Sequence, residues 1–115
     1  MKTLFTLILI LTTYLSFSQI SEIQLLQINS SWNLKNDIKR SNLPVRYLAY
    51  KIKVDHATLE NQGTKFKENF AGKPLPILIL KINGKFKYQW TADLSFRLKI
   101  TKEEILDVID KVIKK

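Results

Sequence analysis

The chain has 115 residues, no cysteine and a single histidine. That length fits one domain, and the missing cysteine excludes thiol nucleophiles, disulfide staples, zinc-thiolate sites and iron–sulfur clusters together. Lys and Arg outnumber Asp and Glu by 19 to 10, a formal net charge of +9; this favours anionic partners, although scattered lysines in a chain also rich in Ile and Asn read more simply as compositional bias.

The first segment, MKTLFTLILILTTYLSFSQ, holds Lys2, an apolar run from Leu4 to Leu15, and small residues at Ser16 and Ser18. That is the layout of a secretory signal peptide, and the run is short of the roughly 20 residues that span a bilayer. Residues 1–18 are therefore read as a leader and residues 19–115 as one domain. The mature chain is expected to start at Gln19, to be exported to a periplasm or the medium, and to keep no membrane span.

IQLLQI, from Ile23 to Ile28, is apolar on both faces and predicts a buried strand. Ser30 or Ser31 can cap a following helix with apolar positions Leu34, Ile38 and Leu43. Pro44 ends it, since the residue before a proline is pushed out of the helical region. Val45 to Val54 alternates with a slip in phase, which predicts a strand with a bulge or one buried on both sides. Asp55 suits the N-cap of a second helix carrying Leu59, Gln62, Phe66 and Phe70, weakened in its middle by Gly63 and closed by Gly72.

Ile77 to Ile82 predicts a strand, Asn83-Gly84 a two-residue type I′ turn, and Lys85 to Trp90 the returning strand, with Phe86, Tyr88 and Trp90 on one face. A ten-residue loop follows. Leu94, Phe96 and Leu98 are expected to pack at the core edge, with a partner surface as the alternative use of the loop. TKEE, from Thr101, is a capping box, opening a last helix that buries Ile105, Val108, Ile109, Val112 and Ile113.

Three stretches of this βα-βα-ββα order carry a resemblance to the thioredoxin-like superfamily, covering about Ile23 to Ile113. INSSWNLKN resembles the strand end, Trp and Cys-x-x-Cys helix start. KIKVD resembles the strand before the second helix. KPLPILILKINGK resembles the cis-proline, strand and Asn-Gly hairpin. The resemblance implies an α/β fold with a central mixed four-stranded sheet flanked by helices. It also implies a peptide-binding groove at Trp32, Asn33, Asn36, Leu75 and Pro76, with Pro76 cis and the Leu75 backbone placed to pair with an extended peptide.

Asn33 and Asn36 stand where the family has its two cysteines. Dithiol exchange needs a thiolate that attacks and a second thiol that resolves, and an amide supplies neither. The expectation is thus an exported, redox-inactive module that holds a protein or extended peptide. No catalytic residue, cofactor, metal or specific nucleic acid is expected, and the oligomeric state is left open. Two alternatives stay open. One is an enzyme of non-dithiol chemistry using Ser30 or Ser31 near the helix start. The other is a basic binder of anionic surfaces, although no interleaved aromatic-basic stripe is present. His56 reads as a surface or cap residue. Asn29-Ser30-Ser31 has the form of a glycosylation sequon.

Overall fold

The computed structural model describes residues 20–114, so the segment read as a leader lies outside the described residues. In chain order the elements are β1 (Ile23–Asn29), 3-10 helices at Ser31–Asn36 and Arg40–Asn42, β2 (Arg46–Tyr47), β3 (Tyr50–Thr58), a 3-10 turn at Leu59–Asn61, α1 (Thr64–Phe70), β4 (Ile77–Ile82), β5 (Lys85–Thr91) and α2 (Lys102–Ile113). The strands form one mixed sheet in the order β2-β3-β1-β4-β5. β1 lies at its centre, parallel to β3 and antiparallel to β4.

Strands β1 and β4 carry apolar residues on both faces, interrupted by Gln24, Gln27 and Lys81, because both of their faces are covered. On one face Ile23 and Leu25 of β1 and Leu78 and Leu80 of β4 meet Ile105 and Ile109 of α2. On the other, Ile28, Ile77 and Ile79 pack with Leu75 and with Phe70 of α1. The Thr101 hydroxyl accepts the Glu104 N–H at 3.2 Å, closing the expected cap of α2. Glu103 and Glu104 sit in its first turn and Lys111 in its last, as the helix dipole favours. Asn83 (φ 55°) and Gly84 (φ 79°) form the hairpin turn in left-handed conformations, the geometry that selects Asn-Gly there.

The structure corrects several local expectations. The sheet has five strands, not four. Val45 to Val54 is not one strand: Leu48 turns left-handed at φ 51°, and β2 folds back on β3 with Arg46 opposite Lys51 and Tyr47 opposite Tyr50. The phase slip in the sequence is this hairpin. Asp55 caps no helix. The parallel ladder with β1 runs on to Thr58, opposite Asn29, so backbone pairing takes Asp55–Thr58 into β3. Gly63, expected inside a helix, instead stands just before α1 as its N-cap.

The bulge is in β5. Leu80 faces Tyr88 while Lys81 faces Phe86, which leaves Lys87 as the extra residue and turns Phe86 to the face opposite Tyr88 and Trp90. The long loop also divides its apolar residues. Leu98 packs against the core, but Leu94 is 87% exposed.

Candidate functional site

The helix expected over Leu34, Ile38 and Leu43 is replaced by two 3-10 turns separated by extended residues. The cause lies in the side chains around the corner. Asn33 N–H donates to Ser30 O and Asp37 N–H to Leu34 O, each at 3.0 Å and each one residue tighter than an α-helical bond. The Asn33 carbonyl, which an α-helix would have bonded to Asp37 N–H, accepts instead from the Asn29 amide at 3.0 Å. Short polar side chains thus outcompete the helical backbone ladder, and Asp37 leaves the helix with ψ 144°. Ile38 and Leu43 still reach the core, while Leu34 is exposed.

Asn33 is 1% exposed and joins three segments of the fold. Its amide nitrogen lies 3.1 Å from Asn29 Oδ1 at the end of β1, 3.0 Å from the Leu75 carbonyl before Pro76, and 3.2 Å from the Phe96 carbonyl of the loop after β5. Two amide hydrogens are therefore shared among three oxygens. Its own Oδ1 accepts from the Asn36 amide at 2.7 Å. A side chain that both donates and accepts is needed at this point; a thiol would leave carbonyl oxygens without partners.

The corner is held from outside by two carboxylates. The Asn29 amide donates to Asp37 Oδ1 at 2.5 Å, and His56 Nε2 on β3 lies 3.5 Å from the same oxygen. Glu60, just after β3, accepts from the Ser30 hydroxyl and, at 3.0 Å, from Ser31 N–H. These bonds, the Ser30 hydroxyl first, hold the Glu60 carboxyl below its usual pKa. Neither Ser30 nor Ser31 caps the 3-10 helix with its own side chain; Glu60 does so from a distant part of the chain. The Ser30 hydroxyl is buried and committed to this contact, and Asn29 of the sequon-like triplet is fully buried.

The loop over the corner is shaped by Asp93, whose carboxylate accepts from the Ser95 hydroxyl and, at 2.9 Å, from Ser95 N–H. The hydroxyl first and the N–H next keep Asp93 below its usual pKa. Phe96 N–H bonds back to Asp93 O at 3.1 Å, and Phe96 itself is left-handed at φ 60°. A non-glycine residue there costs about 1–3 kcal/mol. The turn, the Asn33 contact and an edge-on stack on Trp32, with ring centroids 5.0 Å apart, together hold it in place.

The five residues expected at a groove are thus brought together, with Leu75-Pro76 cis as the resemblance implied. They divide by access. Asn33, Leu75 and Pro76 are buried, and the Leu75 carbonyl is already bonded to Asn33. Asn36 is half-buried and Trp32 is 59% exposed. Sequence reasoning gave no structural role to Asn29, Asp37 or Glu60. An Asn four residues before Asn33 was the one local signal; Glu60 offers none, because it arrives only through β3.

No family model matches the chain, and no curated protein matches it. A solved thioredoxin-2, described as a component of the malaria parasite protein secretion machinery, aligns over 78% of this chain and 82% of its own at 16% identity, with a TM-score of 0.55. The likeness is one of fold: the chain has a thioredoxin-like fold and no cysteine with which to run thiol chemistry.

Proposed function

We propose that this chain, thioredoxin-like in fold and free of cysteine, is an exported, redox-inactive module that holds a protein or extended peptide. The observation that carries the reading is the division at the corner: an asparagine network has taken over the interior, and an exposed aromatic pair remains outside. Trp32 and Phe96 stack on one another yet stay 59% and 38% exposed. Large rigid aromatic surface held in place before binding costs little conformational entropy and is favoured at interface centres. Leu34 and Leu94, from the same two segments, are exposed as well. A partner paired to the Leu75 backbone has to share its carbonyl with the Asn33 amide, so Trp32 and Phe96 supply the main contact and Asn36 a polar one. Export rests on the leader-like residues 1–18.

The test is a photo-crosslinker placed at Leu94, used in extracts of the source organism's envelope. A discrete adduct that disappears in Trp32→Ala and in Phe96→Ala, both still folded, supports the module. An adduct pattern unchanged by both substitutions refutes it.

A further inference from the structure

Beside the aromatic pair lies a hollow of about 500 Å³, running from Lys35 and Lys39 on one wall to Arg97 and Lys99 on the other. Its lining begins three residues after Trp32 and one after Phe96, and reaches Thr101 and Glu104 at the start of α2. Lys35, Lys39 and Arg97 make no ion pair among the described residues. Two carboxylates also line the hollow. Asp37 is hydrogen-bonded by the neutral Asn29 amide and lies beside His56, and it keeps its charge, so four cations face two carboxylates, Asp37 and Glu104. Like charges gathered in a concave site raise the local potential above that of the same charges on a flat surface. Their arrangement differs from the scattered lysines elsewhere, because it draws on two segments distant in sequence.

We propose that the hollow receives the acidic part of the bound partner: an extended segment bearing Asp or Glu side chains, whose apolar neighbour rests on Trp32 and Phe96. The inference rests on the binding-module reading and adds the chemistry of the partner. An extended chain fits better than a compact anion because the four cations come from two separate segments of the lining, each following directly on the segment that carries an aromatic ring. The segment brings carboxylates to Lys35 and Arg97 first, next to the aromatic pair, and to Lys39 and Lys99 further along.

The test uses the whole domain with fluorescein-labelled hexaglutamate as probe, followed by anisotropy at low salt. Lys35→Glu with Arg97→Glu is expected to weaken binding by at least about tenfold, equal to about 1.4 kcal/mol. The neutral pair Lys35→Gln with Arg97→Gln is expected to act in the same direction and serves if the reversed pair unfolds. Lys65→Glu with Lys67→Glu on α1, across the sheet, makes the same change of net charge and is expected to leave binding within about twofold, since distant exposed charges are screened. Equal loss in that control means diffuse attraction and overturns the proposal. Wild-type affinity in both hollow variants overturns it too. Inorganic phosphate competing as well as hexaglutamate at equal concentration overturns it in favour of a small anion. If hexaglutamate fails to bind while the Trp32-dependent crosslink persists, the acidic segment is wrong and the module stands; if the crosslink also fails, the module itself falls.

Discussion

Replacing Asn33 removes the group that ties β1, the loop before β4 and the loop after β5 together. In Asn33→Ala the Leu75 carbonyl loses its donor at 3.0 Å and the Phe96 carbonyl its donor at 3.2 Å. Asn29 Oδ1 keeps its bond from Ser30 N–H at 2.9 Å. A buried acceptor left unpaired costs about 1–3 kcal/mol; Leu75 is buried in full and Phe96 only in part, so the expected loss is about 2–4 kcal/mol. With a urea m-value of about 1 kcal/mol/M, the unfolding midpoint falls by about 2–4 M. Asn33→Asp is the sharper perturbation. It has the shape of the original but no donor when ionised, and sets a carboxylate against three oxygens. Burial and those oxygens raise its folded pKa above the unfolded value of about 3.9. A group with a raised folded pKa contributes its stability below the unfolded pKa and loses it as pH rises through the folded one. Asn33→Asp therefore gains stability relative to the unsubstituted protein as pH falls from neutral towards about 4. Urea unfolding followed by tryptophan fluorescence at neutral and mildly acid pH measures both effects. A loss under about 0.5 kcal/mol in Asn33→Ala, the level of an ordinary surface change, refutes the central role of this amide. So does an Asn33→Asp variant whose deficit does not shrink in acid.

On α2, Ile109→Ala is expected to cost about 2–4 kcal/mol as a large-to-small change at a fully buried site, and Thr101→Ala about 1 kcal/mol through its lost cap; urea midpoints test both. The Tyr47 hydroxyl donates to Asp110 Oδ1 at 2.6 Å, and that bond, with burial, pushes the Tyr47 pKa up to about 12, while Tyr47 first and Lys114 next hold Asp110 below its usual value. The Asp110 contribution is complete above its unfolded pKa and lost as acid passes the folded one; the Tyr47 contribution is complete below its unfolded pKa of about 10 and lost as pH rises through about 12. Tyr47→Phe is therefore expected to flatten both limbs of the stability–pH curve, and unchanged limbs count against the contact. Asn33→Cys with Asn36→Cys is expected to close an intramolecular disulfide on mild oxidation, because the two amides already touch at 2.7 Å three residues apart. A folded double variant that stays fully reduced, by mass after thiol labelling, shows that the corner cannot hold a Cys-x-x-Cys pair.

Strands β1, β4 and β5, the Asn-Gly turn and α2 with its cap were legible because each is specified by neighbours in sequence. Apolar runs, a left-handed turn pair and a Thr-x-x-Glu box act within a few residues of where they are written. The absence of cysteine likewise settled one matter of chemistry outright. The segments that differ lie where local preference was weak and a distant partner decided. Asp55 to Thr58 became strand because β1 offered a ladder. Ser31 to Asn36 became 3-10 because Asn29 took the Asn33 carbonyl and Glu60 met the serines. Phe96 came to rest on Trp32 across 63 residues of chain because Asn33 holds its carbonyl. A polar side chain specifies a hydrogen bond but not which partner will complete it. Only the packed sheet, by setting which chain ends meet at the corner, made that choice and left the aromatic pair outside.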